Sequence, residues 1–173
     1  MRKSVLISLA ALSVAAFFAA GIALAGVKHG ERISIKLTPV PKVKTSATGT
    51  ATFELAKNGT ALDYRVNLKG IRDVTMGHIH AVGDDGTPAE IIAWLYPTAG
   101  EAPALREGKF KGTIAKGEIT ADKLSGPLKG KTVKDLYEML EKGKAGVAIH
   151  TKESPGGELW AFHMEKGHKK MKM

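Results

Sequence analysis

A hydrophobic period of two is the strongest constraint on this chain. Ile33, Ile35 and Leu37 alternate with polar residues, and Leu62, Tyr64, Val66 and Leu68 repeat the pattern. That period sends apolar side chains to one face of an extended strand and polar ones to the other, so it predicts half-buried sheet. Residues 48–55 read as a Thr-rich strand, and Asn58-Gly59 follows before alternation resumes. This dipeptide tolerates the positive φ angles of a tight turn, so the two runs predict a β-hairpin. Further strands are expected over residues 74–82, 91–96, 110–119, 146–151 and 158–164. Asp84-Asp85-Gly86-Thr87-Pro88 and Ser154-Pro155-Gly156-Gly157 are turns, and residues 99–107 form a loop. One helix interrupts the strands. Thr132 is its N-cap, Asp135 reaches back from the third position, and Leu136, Met139 and Leu140 mark its apolar face, with Gly143 at its end. The whole predicts an all-β fold, a Greek-key sandwich or barrel of about eight strands, with one short helix before the last two. No internal repeat or interdomain linker is visible.

Residues 1–25 stand outside this pattern. Arg2 and Lys3 precede an uncharged run from Ser4 to Ala25, which ends in Ala23-Leu24-Ala25. This is the layout of a secretory signal cleaved after Ala25. Left uncleaved, the same run is long enough to cross about 30 Å of hydrocarbon as an anchor. Either outcome puts residues 26–164 outside the cytoplasm, whether secreted, at the cell surface or periplasmic, with residues 165–173 as a basic tail. Removing Arg2 and Lys3 with the leader lowers the net charge from +9 to +7. The remaining lysines are scattered, and no arginine-rich helix or aromatic-interleaved basic stripe is present. Export and this scatter argue against nucleic acid. The tail carries four Lys against one Glu. It reads as a solubilising end, or as an electrostatic arm for an acidic cell-surface polymer.

The chain has no cysteine, which excludes disulfides, thiolate metal sites and thiol nucleophiles and leaves imidazole as the main metal-binding group. Of six histidines, His78 and His80 are the informative pair. Two positions apart on a strand, they share a face about 6.5–7 Å apart at Cα, while Ile79 turns into the core. His150 lies on a second alternating run, with Val147 and Ile149 on the opposite face. If that strand neighbours the first, three imidazoles converge. Such a set suits copper or zinc, with ligand nitrogens separated by about 3–4 Å. Met76 shares the parity of His78 and His80 and either fills core or approaches the same metal. If Thr151 faces Glu158 across the last turn, His150 faces Leu159 and His163 faces Gly146, about 13 Å away on the same face and outside the cluster. His29 would join a square-planar Cu(II) site only if cleavage fell after Gly26, and His168, Met171 and Met173 are candidates for a copper-collecting tail. Asp84 and Asp85 fit calcium or ordinary turn chemistry.

Several stretches in order resemble the chordin-type, or CHRD, domain: Ala47 to Phe53, Asn58 to Tyr64, Gly77-His78-Ile79-His80, Gly117 to Asp122, Val147 to Thr151 and Ser154 to Glu158. The aromatic ending Leu159-Trp160-Ala161-Phe162-His163 departs from the more polar pattern of that family. The resemblance implies an extracellular all-β domain, and no established activity comes with it. Residues 77–84 are also similar to the copper-binding strand of Cu/Zn superoxide dismutases, with His78, His80 and His150 matching copper ligands. The bridging and zinc-site histidines have no counterpart, and the disulfide is impossible without Cys. That likeness therefore implies a superoxide dismutase-like architecture and a mononuclear site. The leading expectation is an exported metal-binding β-domain. The alternatives are a non-enzymatic adhesion or protein-interaction module presenting Trp160 or Phe162, and a mononuclear copper redox enzyme. No Ser-His-Asp set, nucleophile elbow or phosphate loop marks a catalytic residue.

Overall fold

Seven strands and one α-helix follow the expected alternation in a computed structural model that describes residues 32–98 and 105–164. The strands are β1 (Arg32–Pro39), β2 (Thr48–Leu55), β3 (Ala61–Val82), β4 (Pro88–Tyr96), β5 (Arg106–Thr120), β6 (Ala145–Thr151) and β7 (Leu159–Phe162), with helix α1 (Val133–Glu141) before the last two. Antiparallel pairing runs from β1 to β2, β3, β6, β7 and back to β1, so these five strands close into a barrel. Strands β4 and β5 add to β3 outside the ring. The proposed leader, His29 and the basic tail lie outside the described residues, as does part of the 99–107 loop.

Two strands expected separately, around Leu62–Leu68 and Val74–Val82, are halves of one 22-residue strand, β3. Straight, it would run roughly 70 Å, far longer than a domain of this size is wide. It bends instead. Register against β5 slips between Lys69 and Ile71 and again between Arg72 and Val74. Gly70 takes a φ of 72°, a left-handed conformation without Cβ strain, and Asp73 one of 48°. The Asp73 carboxylate secures its bend by accepting the Gly108 N–H at 2.7 Å. These slips also exchange the faces of the strand. Leu62, Tyr64, Val66 and Leu68 point into the core before the bend, Ile71 after its first slip and Val74 after its second, and a third slip, between Val74 and Met76 against β6, turns Ile79 inward. His78 and His80 are therefore turned to the outer face of the barrel wall.

Helix α1 starts as expected. The Asp135 N–H donates to Thr132 Oγ1 at 3.3 Å, and the Thr132 N–H donates to Asp135 Oδ2 at 2.7 Å, a reciprocal capping box. Val133, Leu136, Tyr137 and Leu140 bury its inner face in the core shared with Val147, Ile149 and Leu159. Just past the helix, Gly143 has a φ of 66°.

The β6–β7 register differs from expectation by one residue. Leu159 pairs with Ile149, not His150, and Phe162, not His163, pairs with Gly146. The Glu158 N–H also donates to Ile149 O, at 2.7 Å, so the strand enters with one extra residue. Glu158 is held there by its buried carboxylate, which accepts hydroxyl hydrogens from Thr45 and Thr151, each at 2.7 Å. The slip moves Trp160 and Phe162 to the face of His150 and leaves His163 beyond the strand.

Candidate metal centre

The bend in β3 and the β3–β6 ladder assemble the cluster. His78 pairs with Ala148, His80 with Gly146, and Met76 with His150, so the three imidazoles meet on the outer face of the β3–β6 ladder. On the β6 side the residues directly across from His78 and His80 are small, Ala148 and Gly146, which leaves room for the rings there. Ring centroids are 5.5 Å apart for His78–His80, 5.2 Å for His78–His150 and 6.1 Å for His80–His150. One nitrogen from each ring lies within 4.8 Å of the others. That is wider than the 3–4 Å between two ligands on one zinc or copper ion, so binding requires the rings to draw in by about an ångström. The three are buried, with His78 only 3% exposed.

Hydrogen bonds orient two of the rings. His80 Nδ1 lies 2.8 Å from Ala89 O, and His150 Nδ1 lies 2.9 Å from Pro155 O. A carbonyl only accepts, so each Nδ1 carries the hydrogen and each Nε2 keeps its lone pair. Both Nε2 atoms are buried and have no hydrogen-bond partner among the described residues, and the same holds for both ring nitrogens of His78. Burial lowers the pKa of His78 to about 4, reinforced by the nearby His150 and His80. Burial likewise lowers that of His150, partly opposed by its bond to Pro155. The His78 and His150 rings are therefore neutral near pH 7, the state that donates to a metal. Among the described residues no carboxylate joins the group, so its chemistry is that of nitrogen-loving copper or zinc and not of oxygen-loving calcium or magnesium.

Two tryptophans wall the cluster, and neither was expected there. Trp94, opposite His78 on β4, meets its ring edge to face at 4.2 Å. Trp160 lies 6.2 Å from His80 and donates its indole N–H to Gly86 O at 2.9 Å. Trp160 and Phe162 are therefore half-buried against the site and each other, not a free aromatic patch. Trp94 was legible only as the strand partner of His78, a pairing that no local pattern gives. Met76 is half-buried and stands apart from the hydrophobic cluster, on the side of the histidines. His163 lies outside the cluster. Asp85 is engaged in turn chemistry, accepting from the Thr87 N–H and hydroxyl at 3.0 and 2.7 Å.

The fold and the cluster together define an all-β barrel module with three buried imidazoles on the outer face of its wall. The family model for the CHRD domain matches residues 33–160, and the chain belongs to that family, whose domain is an extracellular-type module. Comparison with curated proteins finds no match. Comparison with solved structures finds none either. Among the described residues, no helix is long and apolar enough to cross a membrane.

Proposed function

We propose that this CHRD domain is exported and binds one transition-metal ion, copper or zinc, through His78, His80 and His150. The observation that carries the reading is the set of four buried ring nitrogens without a hydrogen-bond partner, gathered in one cluster. An unpaired buried polar atom costs on the order of 1–3 kcal/mol, so a protein rarely collects several without a use for them. A cation accepts the free Nε2 lone pairs of His80 and His150 and one nitrogen of His78. The carbonyls of Ala89 and Pro155 then hold the first two rings in orientation. Trp94 and Trp160 exclude water from the flanks and strengthen these interactions through the low local dielectric. Three protein ligands leave a coordination position open, which is compatible with metal carriage and with chemistry on a bound small molecule.

Metal titration of the purified domain tests the reading. One equivalent of Zn(II) or copper is expected to bind, with loss of that stoichiometry in a His78→Ala/His80→Ala variant. Unchanged stoichiometry in the variant would sink the assignment.

A further inference from the structure

A second feature lies on the other half of β3, away from the histidines. Along the β3–β5 ladder, residues directly opposite one another share a face, and three such rungs carry two cations each: Arg65 with Lys116, Lys69 with Lys111, and Arg72 with Lys109. All six are exposed. Like charges directly opposite on neighbouring strands repel and destabilise the sheet, and a surface shaped for stability intersperses the two signs. Among the described residues, Arg72 reaches only its neighbour Asp73, at 4.0 Å, and the other five form no ion pair. The strip ends at an acidic rung, Asp63 with Glu118. From Arg65 to Arg72 it spans at most about 23 Å along the strand, shortened by the bend at Gly70.

We propose that this ribbon is a docking surface for a linear acidic polysaccharide. Its length and single file of paired cations fit an extended chain with repeated negative charge. The rung between the first two cationic pairs is Asn67 with Thr113, joined by a 2.7 Å hydrogen bond, and Arg65 donates to the same Thr113 hydroxyl at 3.3 Å. Beside it on β2, Thr48, Thr50 and Thr52 stand opposite Lys69, Asn67 and Arg65. The cations are thus bordered by hydroxyl and amide groups, the hydrogen-bonding partners that sugar hydroxyls need. The observations favour a sugar over other polyanions. The outward rungs hold no aromatic residue on which a base would stack, and no apolar side chain to enter a bilayer. Phe110 pairs with Ile71 on the inner face and is covered by Arg106, 5.0 Å from its ring.

The test is calorimetric binding of the full chain, at low ionic strength, to dextran sulfate and to polygalacturonate, with neutral dextran as control. Both acidic polymers, or either, should bind, and added salt should weaken the complex. Lys69→Thr/Lys111→Thr should lower affinity by about tenfold, and Arg72→Gln/Lys109→Gln similarly. Removing a repelling pair should leave the thermal midpoint equal or higher, so loss of binding cannot be put down to loss of fold. The charge-matched variants Lys129→Thr/Lys131→Thr and Lys134→Thr/Lys144→Thr, exposed lysines off the ribbon, should change affinity by less than about twofold. Three results would overturn the proposal: no binding by the unaltered chain, equal loss in the charge-matched variants, or tighter binding to a DNA oligonucleotide or anionic vesicles than to either acidic sugar.

Discussion

Acid should weaken the metal-free domain through one residue above all, His78. Its imidazole is buried beside His80 and His150, and its pKa falls from 6.5 to about 4 on folding. The native state therefore binds fewer protons here than the unfolded chain. The associated stability is fully present above pH 6.5 and is lost as the pH falls toward 4. With those two values, linkage gives a loss of about 2 kcal/mol between pH 7 and pH 5, rising to about 3 kcal/mol by pH 4. Against a total stability of roughly 5–15 kcal/mol for a domain of this kind, that is a large fraction. The assay is urea unfolding of the metal-free protein at several pH values, beside a His78→Asn variant whose side chain does not titrate. The variant should show a pH dependence shallower by that amount, because the carboxylates common to both proteins cancel in the difference. Identical pH profiles would refute the claim that His78 is buried as a neutral imidazole.

Other expectations follow from single contacts. Zinc at about one hundred times its dissociation constant should stabilise the domain by about 2.7 kcal/mol, and His150→Ala should abolish that gain in a thermal melt. Thr132→Ala removes one side of the α1 capping box and should cost about 1 kcal/mol, measured by chemical denaturation. Gly146→Ala would place a Cβ 2.7 Å from both Ala161 O and Trp160 Cη2. It should cost about 1–3 kcal/mol and shift Trp160 fluorescence, since the ring must yield or the strand must move. Thr151→Val leaves Glu158 without one of its two hydroxyl donors and should cost about 1–3 kcal/mol, with the loss read by the same unfolding assay.

Much of the architecture was legible without coordinates, because it follows from short-range rules. Alternation at Ile33–Leu37 and Leu62–Leu68, the Asn58-Gly59 hairpin and the Thr132–Asp135 box depend on residues within a few positions of each other. The side-by-side placement of His78 and His80 is of the same kind, since a strand repeats its facing every second residue whatever surrounds it. The family pattern, spread over residues 33–160, was equally open to reading.

The remainder depends on partners distant in the chain. Nothing near Gly70 or Asp73 announces that two strands are one, since a bend becomes visible only when both halves pair with different neighbours, β2 and β6. The extra residue at Glu158 owes its place to Thr45, 113 positions away, and it shifts the register that carries Trp160 to the histidines. His150 meets His78 through the β3–β6 ladder, and the carbonyls that orient His80 and His150 come from loop and strand backbone that every residue possesses. Local dihedral preferences set which way a side chain faces along its own strand. Which strands lie side by side, and in what register, is settled by long-range burial and hydrogen bonding, and that is what turns a pair of histidines into a three-imidazole site.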